Sequence, residues 1–410
     1  MEIAPCLGKI SMNPNPPPAP RVNLRTPDVM ACVQEQVEQH FRSSLVETIR
    51  ADGGVLVRGK TTFRLAKEFG FCYGVERAID LAYAAGKVFS DRRIFLLGEI
   101  IHNPDVNAQI SALGIRTFPV RPSASDIEEL APEDVVIIPA FGAEVATVAA
   151  VKARGCQVVD TTCGDVMSVW KRVRQNATEQ VTSIIHGKAA HEETRATASR
   201  ALGPNLDGHY LIVLDLEQTK RVAEFILHCG DSEKFLAEFH EAASPGFDPK
   251  IHLTRIGVAN QTTMLRSETE AIQSLLRETI AARDHGNTAN FRFFDTICGA
   301  TQDRQDALFK LLHEPLDLLI VVGGYNSSNT AHLVEIGVKK LPTWFIRNAS
   351  CLISPTEIRH FELHQNSEIV SQGWLPQTES LTLGITAGAS CPNNLIEDTI
   401  RRILEFRGEA

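Results

Sequence analysis

The chain is expected to fold as α/β, with mostly parallel sheets divided among more than one domain. Three observations predict it. The 410 residues exceed what a single compact core normally holds. Short β-branched runs alternate with amphipathic stretches over most of the length. A phrase also recurs, DTTCGDV at residues 160–166 and DTICGAT at residues 295–301, each time with a cysteine just ahead of helix-compatible sequence.

Taken in order, residues 13–20 read NPNPPPAP, which cannot join a helix or sheet, so residues 1–25 are expected to be a disordered leader. Residues 29–53, VMACVQEQVEQHFRSSLVETIRADG, carry apolar residues at helical spacing and end on a glycine pair. Residues 26–60 are therefore expected to form a helical extension packed on the domain behind it. Then come the strand–helix pairs: RRIFLLG with NPDVNAQISALG, DVVIIPAFG with AEVATVAAVKARG, TSIIHGK with HEETRATAS, and HYLIVLD with EQTKRVAEFIL. The rhythm continues through RIGVANQ with TMLRSETEAIQSLLRETIAAR, DLLIVVGG with SSNTAHLVEI, and LTLGITAGA with PNNLIEDTIRRILEF. In parallel sheets, ligands gather outside the carboxyl ends of strands, and the polar motifs fall at those junctions.

A net charge of −9 with 22% charged residues argues against a broad grip on nucleic acid or an anionic membrane, so any anionic ligand must be held locally. No run approaches the ~18 apolar residues of a membrane span. The start, MEIAPCLGKI, lacks the order of a secretory signal, and the leader, poor in Ser and Arg at its start, makes a poor transit peptide. Bacterial cytoplasm is expected, ahead of a plastid. Nine cysteines without CxxC or CxxxCxxC read as reduced thiols with a few special members.

Cys72, in EFGFCYGVERAIDLAY, joins Cys163 and Cys298 in standing just before a helical pattern. Their separations, 163 − 72 = 91 and 298 − 163 = 135 residues, let each open its own α/β unit around a shared centre. A thiol at a helix N-terminus sees the positive end of the dipole, which favours the metal-binding thiolate. The plain alternative is a small buried apolar residue, the preferred reading for Cys156 in GCQVVD. Three thiolates suit an iron–sulfur cluster with one iron lacking a protein ligand, whereas a structural zinc would want a fourth ligand. The NSSN after VVGGY and the GAS after LGIT each follow a strand and open a helix, which suits an anion, or simply a helix cap. His102 and His191 sit at strand ends, and a histidine beside a bound anion is expected to be cationic near neutral pH.

These segments resemble the 4-hydroxy-3-methylbut-2-enyl diphosphate reductases, the last enzymes of the non-mevalonate isoprenoid pathway. The resemblance runs from about Thr62 to the C-terminus through GFCYGVERAI, GEIIHNPDVN, PAFGAEV, DTTCGDV, IIHGKAAHEET, NQTTM, DTICGATQDRQDAL, NSSNTAHL and TAGASCP, in that order. AFGA and IIHGKAAHEET look like the plant and cyanobacterial branch. The resemblance implies three α/β domains, here residues 61–162, 163–297 and 298–410, in a pseudo-threefold trefoil around one [4Fe–4S] cluster per subunit held by Cys72, Cys163 and Cys298. It implies a substrate diphosphate against His102, His191, Ser327, Ser328, Asn329 and Ser390, with Glu193 as proton donor and Thr262 as relay toward the hydroxyl. Glu193 is preferred to Glu192 by its register with His191; without the resemblance it reads as a first-turn glutamate facing the helix dipole. The implied reaction removes an allylic hydroxyl with two electrons and two protons, yielding isopentenyl and dimethylallyl diphosphates, with ferredoxin or flavodoxin as electron donor.

Some positions depart from the family's usual pattern. Phe141 stands where many bacterial members carry a third histidine, and Lys188 is a candidate for the missing charge. Cys391 follows Ser390 in a ligand-facing motif, and glycines 164 and 299 follow two of the cysteines. Two other function classes fit the three-cysteine pattern: an iron–sulfur hydro-lyase without net redox, and a non-catalytic diphosphate-binding protein with a structural metal.

Overall fold

The computed structural model describes residues 22–294 and 296–410. The leader expected over residues 1–25 lies outside the described residues as far as residue 21. From there the expectation of disorder is overturned, because Leu24 is buried in a core cluster with Val33 and Ile79.

The extension is two helices rather than one, Pro27–Phe41 and Ser44–Ala51. Arg42 and Ser43 make the break: the extended backbone of Arg42 ends the first helix, and the Ser43 hydroxyl caps the second by accepting from the N–H of Val46. The extension is also not wholly helical. VLVR, a β-branched run after the glycine pair, forms strand β1 (Val55–Arg58), which turns back as an antiparallel hairpin onto β2 (Thr61–Leu65). Both helices are tied to elements far along the chain. His40 Nδ1 meets the Tyr83 hydroxyl at 2.7 Å, and Ser43 Oγ donates to Glu397 at 2.6 Å. Arg50 donates to the carbonyl of Phe69 at 2.7 Å and lies over the Phe69 ring, just ahead of the Cys72 loop.

Three α/β sheets follow. The strands β3 (Ile94–Leu97), β4 (Arg116–Phe118), β5 (Val135–Ile138) and β6 (Gln157–Asp160) form a parallel sheet in the order β4-β3-β5-β6. The strands β7 (Thr182–His186), β8 (Tyr210–Val213), β9 (Ile256–Asn260) and β10 (Phe291–Phe293) form a second, in the order β10-β9-β7-β8. In the third, β11 (Leu318–Val322) and β12 (Thr343–Ile346) are followed by a separate hairpin, β13 (Glu357–Glu362) with β14 (Ser367–Gln372), and then by β15 (Leu381–Ala387). The order of this last sheet is β1-β2-β15-β11-β12. Residues of β3, β5, β7, β9 and β11 are buried throughout, the pattern of strands covered by helices on both faces.

The strand order moves one expected boundary. Thr61–Leu65, read as the start of the first unit, is hydrogen-bonded in parallel to β15, so the beginning and end of the chain share a sheet. Its burial alternation does not reveal which sheet it joins; only the long-range pairing does. Among the described residues no helix is long and apolar enough to cross a membrane.

Phe63 sits on β2 with no exposed surface and packs in the core that includes Leu383 and Ile400. Phe63→Ala is expected to cost about 3–5 kcal/mol, because truncating a buried aromatic removes transfer free energy and leaves a cavity. Urea or thermal unfolding followed by circular dichroism measures it.

Candidate active site

Each of the three cysteines is the N-cap of a helix: Cys72 before Tyr73–Val88, Cys163 before Gly164–Thr178, and Cys298 before Gly299–Leu311. Backbone hydrogen bonds hold each in place. The N–H of Cys72 donates to Ala389, that of Cys163 to Ala140, and that of Cys298 to Thr262. All three side chains line one cavity of about 650 Å³. Gly74 explains how two of them approach: a Cβ there would stand 2.5 Å from Cys163 Sγ and 3.9 Å from Cys72 Sγ, so only glycine leaves the thiols room. At glycines 164 and 299 a Cβ would meet nothing within 4 Å, so these departures from the usual pattern create no local misfit.

The thiols differ from the sequence-based expectation in one respect. Burial pushes Cys298 up to about 12 despite hydrogen bonds from the Thr301 hydroxyl and N–H, and it pushes Cys163 up despite the N–H groups of Asp165 and Val166. Desolvation outweighs the helix N-terminus, so burial favours the thiol form of both.

At the other end of the cavity, His102 follows β3, and its ring lies flat on Phe141, with centroids 4.6 Å apart and planes at 10°. Its Nδ1 meets Glu99 Oε2 at 3.0 Å, and its Nε2 is buried without a hydrogen-bond partner. His191 is the N-cap of the helix Glu192–Ala201 and accepts the N–H of Glu193 on Nδ1 at 3.2 Å. That bond leaves the proton on Nε2, and burial holds the pKa well below the usual histidine range. Burial therefore favours the neutral imidazole of His191, offering Nε2–H as a donor.

Ser327 caps the helix Ser328–Gly337, and Asn329 in its first turn accepts from the N–H of Ala389 on Oδ1 while its buried Nδ2 has no partner. Ser390 Oγ donates to the carbonyl of His102 at 3.1 Å. Ser327, Ser328, Asn329 and Ser390 all line the cavity with both histidines. A helix N-terminus with an unpaired amide donor facing a cavity is suited to an anion.

Glu193 and Thr262 lie between the two ends, and both line the same cavity. Glu193 is 3% exposed, and burial raises its pKa to about 7. It stays paired: Thr262 donates its N–H to Oε1 at 2.6 Å and its hydroxyl to Oε2 at 3.0 Å. Glu192, its neighbour, points elsewhere, with Oε2 3.6 Å from His102 Nε2.

Two residues left open by the sequence are placed here. Lys188 is exposed and does not line the cavity, with its N–H donating to Gln261, while its charge is among the causes of the lowered His191 pKa. Cys391 is wholly buried in the third sheet's core, and its thiol donates to the carbonyl of Pro392 instead of facing a ligand. Cys156 is buried near the first sheet, its thiol donating to Ala131 O at 3.3 Å.

Sequence reasoning missed Gln261, although it lies within the NQTTM segment. Its amide donates to Thr263 Oγ1 and Ser328 Oγ and accepts from Thr194 Oγ1 and Lys188 N, so its hydrogen-bonding capacity is filled. Because Ser328 Oγ accepts from Gln261, its own proton is free to point at a ligand. Arg304, also missed, donates to Gly70 O at 2.6 Å and braces the loop before Cys72.

Fold and site together define an α/β trefoil protein whose three sheets close on one cavity lined by three thiols, a buried acid and several polar side chains. The family model described as LytB protein matches residues 63–404, and the chain belongs to that family. It is 48% identical over 383 residues to a 4-hydroxy-3-methylbut-2-enyl diphosphate reductase of Gloeobacter violaceus, covering 92% of this chain and 90% of the relative. It is 46% identical to that of Thermosynechococcus vestitus, covering 92% and 93%. A solved structure of the (E)-4-hydroxy-3-methyl-but-2-enyl diphosphate reductase, described as the terminal enzyme of the non-mevalonate pathway, aligns with a TM-score of 0.51 at 28% identity, covering 84% of this chain and 99% of that one. The Plasmodium falciparum reductase structure shares the fold, with a TM-score of 0.59 at 21% identity over 83% of this chain and 87% of that one.

Because the Lys188 side chain lies outside the cavity, Lys188→Ala is expected to change the KM for a diphosphate substrate by less than about twofold, against the roughly tenfold or more that loss of a charge-assisted contact brings. Steady-state kinetics checks it.

Proposed function

We propose that this chain reduces 4-hydroxy-3-methylbut-2-enyl diphosphate to isopentenyl and dimethylallyl diphosphates. The observation that carries the reading is the meeting, in one cavity, of three thiols at helix N-cap positions, a buried acid hydrogen-bonded to a threonine, and unpaired polar atoms suited to a diphosphate. The relatives' names support the same activity and lend nothing to the hydro-lyase or binding-only alternatives.

The donor set fits an iron–sulfur cluster. Cys72, Cys163 and Cys298 offer soft ligands, and the missing side chain of Gly74 leaves space beside two of them. A [4Fe–4S] cluster held there supplies single electrons and a Lewis-acidic iron to the hydroxyl end of the substrate. The electrons come from a ferredoxin or flavodoxin in this reading, and the setting is the bacterial cytoplasm.

The chain's own residues do the rest. His102, the Nε2–H of His191, the hydroxyls of Ser327, Ser328 and Ser390, and the amide of Asn329 hold the diphosphate and fix the opposite end of the substrate toward the thiols. Removing the hydroxyl takes two electrons and two protons, breaks the allylic C–O bond, releases water and forms one C–H bond. Glu193 holds one of those protons near neutral pH because burial disfavours its ionised form. When Glu193 is protonated, its O–H donates to Thr262 Oγ1 and turns the threonine hydroxyl proton toward the cavity. Transfer then leaves the carboxylate stabilised by the Thr262 N–H at 2.6 Å.

Anaerobic purification with iron and sulfide quantified, followed by turnover of the hydroxylated diphosphate with an artificial reductant, tests the function. Four irons per chain and two electrons consumed per product are expected from a [4Fe–4S] reductase; product formed without reductant, or colourless iron-free protein, refutes it. Replacing Cys72, Cys163 or Cys298 by Ser is expected to abolish the visible spectrum, whereas Cys156→Ser leaves it unchanged.

Glu193→Gln is expected to retain iron and bind substrate but lose most turnover, and wild-type activity should decline as pH rises through about 7, where Glu193 loses its proton. Stability follows the same sign. A carboxyl whose pKa is raised in the folded state binds more protons there than when unfolded, so its contribution falls between about pH 4.3 and the folded value. The Tm of Glu193→Gln relative to wild type should therefore be higher at pH 8 than at pH 5.

A further inference from the structure

Glu192 does not line the main cavity, but its carboxylate lies against the histidines that do. Its Oε2 lies 3.6 Å from Nε2 of His102 and 4.0 Å from Nδ1 of His191. That His102 nitrogen is sealed from solvent and has no hydrogen-bond partner, while the other nitrogen is engaged by Glu99 at 3.0 Å. Phe141 stacked flat on the ring, at 4.6 Å, opposes tilting. Nε2 is thus the one atom His102 has left to offer, and a carboxylate faces it.

A phosphate oxygen reaching Nε2 would come within a few ångströms of that carboxylate. Repulsion between unit charges at about 4 Å corresponds to roughly a fivefold loss of affinity even in bulk water, and more beside a protein wall. Glu192 has a way out. Its side chain is 23% exposed, in the first turn of its helix, and it also borders a second cavity of about 220 Å³ that Phe141, Arg121 and Arg195 line. Arg121 forms no ion pair among the described residues, although Arg195 is paired with Glu144.

We propose that Glu192 is a resident anion: it covers His102 while the cleft is empty and swings past Phe141 toward Arg121 when a diphosphate takes its place. Glu192 then sets the threshold for entry, since a ligand must carry enough negative charge and enough acceptor oxygens to displace a carboxylate already there. The inference rests on reading this end of the cavity as the diphosphate site.

The probe is inorganic diphosphate, titrated into anaerobically purified holoenzyme by calorimetry and as an inhibitor competing with substrate. Glu192→Gln is expected to tighten diphosphate binding at least about fivefold. Glu192→Asp, which keeps the charge but withdraws it by one methylene, should tighten it less. In a His102→Gln background the gain from Glu192→Gln should disappear. An unchanged Kd overturns the proposal. A weaker one also overturns it, and would mean that Glu192 joins His102 and His191 in holding a cation, which their spacing permits. If the wild-type holoenzyme binds no diphosphate, the reading of the cleft itself fails, a result distinct from either.

Discussion

The structure depends on bringing three helix N-termini to one point. Cys72, Cys163 and Cys298 follow strands of three different sheets, and each stands at the N-cap position of the helix that follows. In a parallel sheet every strand delivers its carboxyl end, and the start of the next helix, to the same edge, so three sheets facing one another concentrate loop backbone and polar side chains in the gap. The shared cavity is the geometric result of that arrangement. The N-terminal helices brace the centre from outside, through Arg50 on the carbonyl of Phe69 and Ser43 on Glu397 of the last helix.

Burial in this gap gives the site its protonation pattern. Desolvation is the leading cause of the raised pKa of Glu193, the lowered pKa of His191 and the raised pKa values of Cys163 and Cys298. In each case the charged form is the one disfavoured. Two buried polar atoms of the site, His102 Nε2 and the Asn329 Nδ2 amide, have no hydrogen-bond partner. An unpaired buried donor is costly unless something arrives to accept from it.

That arrangement suits a protein with a net charge of −9. It cannot attract an anion with a broad positive field, so selectivity must come from a few donors held rigidly. Phe141 contributes to rigidity where a further cation would contribute charge, by stacking on His102. Gln261 contributes in the same way at the seam between the second and third sheets, where it orients Ser328 while anchoring Thr194. The hairpin of β13 and β14 adds a support behind the serine loop, since Tyr325 stacks on Phe361 and donates to Glu368 at 2.9 Å.

Local pattern in the sequence determined the strand–helix rhythm, the three cysteine caps and the serine and asparagine caps, because these depend on propensity and on neighbours a few residues away. The side chains expected to form the site all line one cavity for the same reason: each lies at a strand-to-helix junction. Other features answer to contacts between distant residues and were decided only by the tertiary structure. Thr61–Leu65 could not be seen to join β15, nor Leu24 to be buried, because pairing and packing across the whole chain have no local signature. Lys188, three residues before His191, looked close enough to act with it, yet the turn sends its side chain outward. Glu192 and Glu193 are neighbours in sequence but diverge in space, since adjacent positions at a helix start point about 100° apart and only Glu193 lines the cavity. Protonation states were also beyond local reading, because they follow from desolvation, and desolvation is a property of everything packed around a group.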